Sequence, residues 1–473
     1  MRKLGSRMEI DMINGPILGK IMVFSIQLII TGVLQLLFNA ADVVVVGKYA
    51  GSNSLAAVGS TSALINLMVN LFMGVSVGAS VVMGKYVGAR QYDEASDTLK
   101  TAMSFALLSG MVLVAVGYFF SSPLLTWMGT PSEVLTLAVR YMRWYFLGMP
   151  AFMVYNFGAA ILRSIGDTKR PLYFLSISGV VNVILNLILV IVFKLGVVGV
   201  AVATVVAQYI SAILIVLSFT RSTDYLHLDL RDLNLNVRKV AEMLKIGIPA
   251  GLQGAIFSIS NVLIQSSVNS FGNLAMAGNT AAANLEGFIY VSMNAIYQAC
   301  MTFTSQNMGA KRYERIGKIL RTCLMVVFCV GFSLGALTYL AAAPLLSIYT
   351  NDPQVVAYGV LRLGIIVLPY FFCGFMDTLC GSMRGMGNSF IPMCVSLFGA
   401  CVLRIVWVFT IFAWVGTLES LYISYPVTWA FTALLHTICY FWYRQKEIVP
   451  FLKEAKERAR ERERLEAAGV KPE

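Results

Sequence analysis

"RSIGDTKRP" (Arg163 to Pro171) has the make-up of a turn that opens a helix: Arg, two residues, Gly, Asp, a hydroxyl residue and, after two more, Pro. Glycine and aspartate favour the turn, and proline is at home in the first turn of a helix. The pattern returns 221 residues later as "RGMGNSFIP" (384–392). The same offset carries "YVGARQYDEA" (86–95) onto "NMGAKRYERI" (307–316), and "SPLLT" (122–126) onto "APLLS" (343–347). Three matches at one offset are the signature of an internal duplication. The glycines of these motifs, Gly88, Gly309, Gly166 and Gly387, are expected to make tight turns that a side chain would obstruct, and Pro171 and Pro392 to open helices.

The duplicated unit is apolar. Of 473 residues 58% are hydrophobic and 13% charged, with a mean hydropathy of +0.74. Soluble chains carry roughly 25% charged residues, whereas uncharged runs of the ~20 residues that cross a bilayer recur here. Helical periodicity and turn residues predict an all-α, polytopic membrane protein of twelve spans, near 20–46, 54–83, 97–120, 134–160, 172–193, 197–220, 241–269, 275–305, 318–341, 355–381, 391–414 and 420–443. Six spans per half make the halves parallel repeats: a first lobe at 1–220, a polar linker at 221–239, a second lobe at 240–443 and a charged tail at 444–473. Such repeats commonly bind substrate between the halves and rock around it.

The formal charge of +12 does not point to nucleic acid, because the basic residues occupy alternate loops. The groups around Arg2, Lys3 and Arg7, Lys85, Arg90 and Lys100, Lys169 and Arg170, Arg231 to Lys239, and Lys311 to Arg321 fall on one side with the tail; Lys48 and Lys194 fall on the other. The positive-inside rule then puts both termini in the cytoplasm of a multi-pass protein of the inner (plasma) membrane. No cleavable signal peptide is expected, so the first span stays. The eight cysteines form no CxxC or Cys/His spacing and read as reduced packing residues. With two histidines, a histidine-built metal site is improbable. The tail alternates acid and base and reads as a solvated helix. The expected partners are a small organic substrate and the bilayer, with no nucleic acid and no cofactor beyond a coupling ion, and the chain is expected to work as a monomer.

Of 24 acids only Asp42, Glu286 and Asp377 lie well inside spans. An acid at the centre of a membrane helix costs about 2.5–3.5 kcal/mol on insertion scales and is a functional candidate by default. Removal from water favours the neutral form of a carboxyl group, which suits a proton carrier. Asp42 precedes Lys48 by about 9 Å of helix, with Asn39 one turn earlier on its face. Asn182 and Asn186 share a face in "VVNVILN", as do Thr204 and Gln208 in "ATVVAQ". These amides and hydroxyls serve either a site or ordinary interhelical bonding. In the second half Glu286, Asn294, Gln298, Asp377 and Arg404 are the candidates for substrate binding. Arg404 is expected to neutralise one of the acids, with Glu286 ranked above Asp377 as the binding group.

Together, "DVVVVGKYAGSNSLAAVG", "GASVVMGKYVGAR", "LRSIGDTKRPLYF", "VVNVILN", "GVVGVAVATVVAQ", "NLEGFIY" and "TSQNMGAKR" resemble the multidrug and toxic compound extrusion family across nearly the whole chain. The resemblance implies twelve helices in two V-shaped lobes and export of organic, often cationic, compounds driven by inward H⁺ or Na⁺. Asp42 looks like the family's first-helix acid, with Asn182 and Thr204 as its partners. Asn186 stands where many members carry a second aspartate, which favours H⁺ over Na⁺. Glu286 looks like the acid of the eighth helix of bacterial members. The seventh helix, "GLQGAIFSISNVLIQ", lacks the acid of some Na⁺-coupled members. Against an exporter stand a lipid-linked oligosaccharide flippase of related fold, whose cargo would want the cations Arg140, Arg143, Arg362 and Arg404, and a channel or sensor. No nucleophile–base set, phosphate loop or metal spacing suggests an enzyme.

Overall fold

In a computed structural model the described residues are 9–454, apart from 51, and residue 457; they contain helices and no strand. The basic cluster around Arg2, Lys3 and Arg7, and nearly all of the charged tail past 454, lie outside them. Twelve rods follow one another. Eight are long and apolar enough to cross a membrane: Ile17–Ala50, Ala56–Gly88, Tyr92–Trp127, Lys169–Val192, Gly196–Thr220, Val237–Asn269, Tyr313–Leu340 and Phe390–Val415. Two more are bent pairs, Ser132–Phe146 with Met149–Ser164 at 49° and Pro353–Ile366 with Phe371–Gly385 at 50°. The last two, Asn273–Gly309 and Leu418–Glu447, are long but more polar, because they bury residues such as Asn279, Glu286, Gln306 and His436. Each expected span falls on one rod.

The repeat is visible in the backbone. Gly166 and Gly387 both have φ of +94°, so each makes the left-handed turn foreseen for it, and Pro171 and Pro392 sit in the first turns of Lys169–Asn186 and Phe390–Ser396. Gly88 and Gly309 do something else. They close helices, and the left-handed turn residues are Arg90 (φ 59°) and Lys311 (φ 57°), two positions on. A Cβ on Gly88 would lie 2.1 Å from the Gln306 carbonyl oxygen, and one on Gly309 would lie 1.9 Å from that of Lys85. The second and eighth spans therefore cross backbone against backbone, each glycine meeting the repeat-mate of the other's neighbour. A pseudo-twofold axis runs through this crossing.

Close contact continues between the second and seventh spans. A Cβ on Gly78 would meet the Met243 oxygen at 2.1 Å and one on Gly74 the Gly251 nitrogen at 2.2 Å. Small residues let membrane helices approach this way. Further along, the approach relaxes to ordinary van der Waals contact: a Cβ on Gly254 meets nothing nearer than 3.8 Å, and one on Gly287 nothing nearer than 4.0 Å. Polar bonds reinforce the tight end. Gln306 donates to the Ser164 carbonyl at 2.7 Å, Asn307 to that of Met12 at 3.0 Å, and Arg163 to Gln298 at 3.0 Å. The lobes are thus sealed at the end carrying the basic turns, and their packing loosens toward the other.

Each half has its own apolar core, but the first span is shared. Met12, Ile21, Phe24 and Leu28 pack into the core of the second half, while Val45 and Val46 belong to that of the first. Apolar side chains such as Phe119, Leu337 and Phe409 face outward, as a lipid-facing wall requires.

Candidate functional site

Each lobe encloses a cavity. The first has a volume of about 270 Å³ and is lined by Asn39, Asp42, Asn182 and Thr204, together with Tyr145, Asn156 and Gln208. Asp42 sits three residues from the end of regular α-helix, where the first span passes into a π-helical turn, Val46–Ala50. The partner strip on the fifth span ends likewise: Asn186 closes Lys169–Asn186 and a π turn, Leu187–Val192, follows. Such turns are frequent at functional sites because they re-aim the adjacent side chains. Here they bring Asn186 Nδ2 onto Asp42 Oδ1 in a direct hydrogen bond. Asn186 also donates to Asn182 Oδ1 at 3.3 Å, and Asn182 donates to Thr204 Oγ1 at 3.4 Å. The four residues expected to act together form one chain, with Asn186 and not Asn182 or Thr204 as the contact of the acid.

Asp42 has no cation within ion-pair distance among the described residues. Nearby acceptors are left over: Asn186 Oδ1 and Gln208 Oε1 are buried without partners. The wall is therefore rich in oxygen and carries one carboxyl group that is not neutralised by a neighbour.

The second cavity, about 560 Å³, lies in the other lobe and is lined by Glu286, Asp377 and Arg404, with Arg362, Tyr425 and Trp429. Here one expectation is corrected. Glu286 is held by Arg362, which donates from Nε at 2.8 Å and from Nη2 at 2.7 Å, a bidentate pair. The remaining Arg362 edge donates to Asn279 Oδ1 at 2.7 Å. Glu286 is thus the committed acid, while Asp377 makes no ion pair among the described residues, the reverse of the ranking drawn from sequence. Arg404 neutralises neither: its guanidinium reaches Asn261 Oδ1 at 3.4 Å and Thr428 Oγ1 at 3.3 Å and lies 4.3 Å from the Tyr425 ring centroid. The physical reason is reach. Arg362 and Glu286 face each other across two rods, a pairing that spacing along the chain does not reveal.

Asn294 and Gln298 belong to neither cavity. They line a smaller space of about 210 Å³ between the lobes, beside Thr31, Gln35 and Arg163. Gln298 there joins Asn294 at 2.8 Å to Arg163 at 3.0 Å. No group of three or more His, Cys, Asp or Glu able to hold a metal occurs among the described residues.

A family model described as MatE matches residues 28–188 and 249–410, two blocks whose starts are again 221 residues apart. The probable multidrug resistance protein YoeA of Bacillus subtilis (strain 168) is 26% identical over 434 residues, 90% of this chain and 94% of that protein. An FAD transporter of Shewanella oneidensis is 26% identical over 427 residues, 87% and 91% of the two chains. The outward-facing conformation of a multidrug resistance MATE family transporter superposes with a TM-score of 0.86 at 22% identity, covering 94% of this chain and 98% of the other, a likeness of fold. With the family model matched in both halves, the chain belongs to the MATE family of multidrug-extrusion transporters, multi-pass membrane proteins that move small organic compounds and are not enzymes.

Proposed function

We propose that this protein is an H⁺-coupled antiporter of the plasma membrane that expels organic compounds, cationic ones among them, with both termini in the cytoplasm. The basic turns gathered at the sealed end support that orientation; the present state is then closed to the cytoplasm and more loosely packed toward the outside. Asp42 is the coupling group, assisted by Asn186, Asn182 and Thr204. Taking up a proton from outside removes its charge and releases a cation; after the lobes rock, loss of the proton inward restores the charge.

The observation that carries the proton reading is that Asp42 is the one carboxylate among the described residues lining the first cavity. A second acid beside it would favour a sodium ion, and the neighbour that meets Asp42 is the neutral Asn186. A proton needs only the carboxyl oxygen. Inside-out vesicles with an acidified lumen should take up a fluorescent cationic dye, and an imposed Na⁺ gradient should not drive it. Asp42→Asn should reduce the uptake to background. Sodium-driven uptake, or full activity in Asp42→Asn, would overturn the assignment.

A further inference from the structure

We propose that the cavity of the second lobe is a binding site for aromatic carboxylates, with Arg404 as the group that grips the acid. This goes beyond the export of cations proposed above and rests on that reading only for the lobes being the cargo-bearing units.

Arg404 is 2% exposed, and a charge so placed demands compensation. The structure gives it none of the usual kind. No carboxylate lies within 4.0 Å of its guanidinium among the described residues, its two hydrogen bonds are long and go to neutral oxygens, and its Nε is buried without a partner. The contrast with Arg362 in the same cavity is direct, since that guanidinium has an acceptor at every nitrogen. A planar guanidinium with weak neutral bonds that a carboxylate would outcompete, and one nitrogen without a partner, is the matching half of a bidentate carboxylate pair. The Tyr425 ring and the Trp429 indole lie on the same wall, and Tyr290 and Tyr370 also line the space. That is a bed for a flat ring, and about 560 Å³ is a drug-sized volume.

The charges around the site fix the ligand further. Glu286 and Arg362 pair with each other, which leaves Arg404 and Asp377 as the charged groups of this wall that make no ion pair among the described residues. Asp377 makes no ion pair or hydrogen bond with any described residue. It repels an acid that drifts toward it, and the carboxylate must therefore lie at the Arg404 end. The first lobe carries no cation at the equivalent point, since the repeat position of Arg404 is Val183; its own cavity-lining arginine, Arg163, comes from a different helix and donates to Gln298 at 3.0 Å.

The test is calorimetric titration of the full chain in lipid nanodiscs at pH 7.5, with no gradient present, using 2-naphthoate and its neutral isostere 2-naphthamide. Wild type should prefer the acid by about tenfold, the scale of one charge-assisted pair. Arg404→Gln should erase that preference while leaving amide binding within about twofold, and Arg404→Lys should keep part of it. Asp377→Asn should raise the preference several-fold by removing the repelling charge. Equal binding of acid and amide by wild type, absence of binding by either, or a preference that survives Arg404→Gln would overturn the proposal. If Arg404→Gln does not fold, the wild-type ratio and its response to Asp377→Asn decide, and an unchanged or reduced ratio in that variant is a refutation. Because no gradient enters, the outcome is independent of which ion drives transport.

Discussion

Glu286 and Asp377 are both carboxylates in apolar helices, and the surroundings give them opposite parts. The Glu286 pair with Arg362 is nearly sealed from solvent, so removing one partner strands a charge. Glu286→Ala is expected to lower stability by about 3–5 kcal/mol, read by thermal unfolding in detergent, and adding Arg362→Met should recover much of the loss. A double variant no better than the single one would show that the ion pair is not what the helices depend on. At the first cavity, Asn186→Asp puts a second carboxylate beside Asp42. Dye uptake by that variant should begin to respond to a Na⁺ gradient in the vesicle assay; an unchanged ion preference would contradict the part given to the amide. The candidate acids were legible in sequence because a charge in a membrane span stands out. Their partners were not. Asn186 was visible as a polar residue on the right face, but that it and not Asn182 meets Asp42 follows only from how the two spans pack. Arg362 was visible only as a cation, since its pairing is made across space.

Among the elements, the rods themselves were legible, and their breaks and crossings less so. Apolar length marked every span, yet "MRWYFLGMPAF" and "IIVLPYFF" each conceal a bend near 50° at a proline, Pro150 and Pro369. A proline ends regular hydrogen bonding without saying whether the chain stops or turns a corner. The glycine motif was found for one reason and is used for another. Gly88 and Gly309 serve the crossing of the second and eighth spans, and the turn beside each falls to a left-handed Arg90 or Lys311. Gly309→Val should therefore cost about 1–3 kcal/mol through overpacking, while Gly59→Ala, with open space around it, should be close to neutral. Lys311→Gly should stabilise by up to about 1 kcal/mol, because glycine occupies the left-handed region without a Cβ clash. Melting temperatures of the three variants test this ordering.

For the whole molecule, the offset of 221 residues implies two parallel lobes, and the two blocks matched by the family model start the same distance apart. The sharing of the first span between both cores could not be read, because membrane helices of either lobe look alike in composition. The seal at the basic end implies that transport needs the lobes to part there and meet elsewhere. Asn70 and Ser258, which bond across the lobes at 3.4 Å, offer a place to stop that motion. With both changed to Cys in a chain lacking its eight native cysteines, oxidation should abolish dye uptake and a reductant should restore it. Uptake that persists in the cross-linked protein would mean the lobes need not separate at this level.

The repeat position of Asp42 in the second lobe is Leu263, so the proposed coupling rests on one acid, and electrical consequences follow. One proton inward against one monovalent cation outward moves no net charge. Such an exchange is blind to the membrane voltage, and its ceiling is about a tenfold cargo gradient per pH unit. One proton inward against one carboxylate outward moves two positive charges inward, each worth about 2.3 kcal/mol per 100 mV. The same carboxyl group would then run a silent exchange for bases and a voltage-driven one for acids.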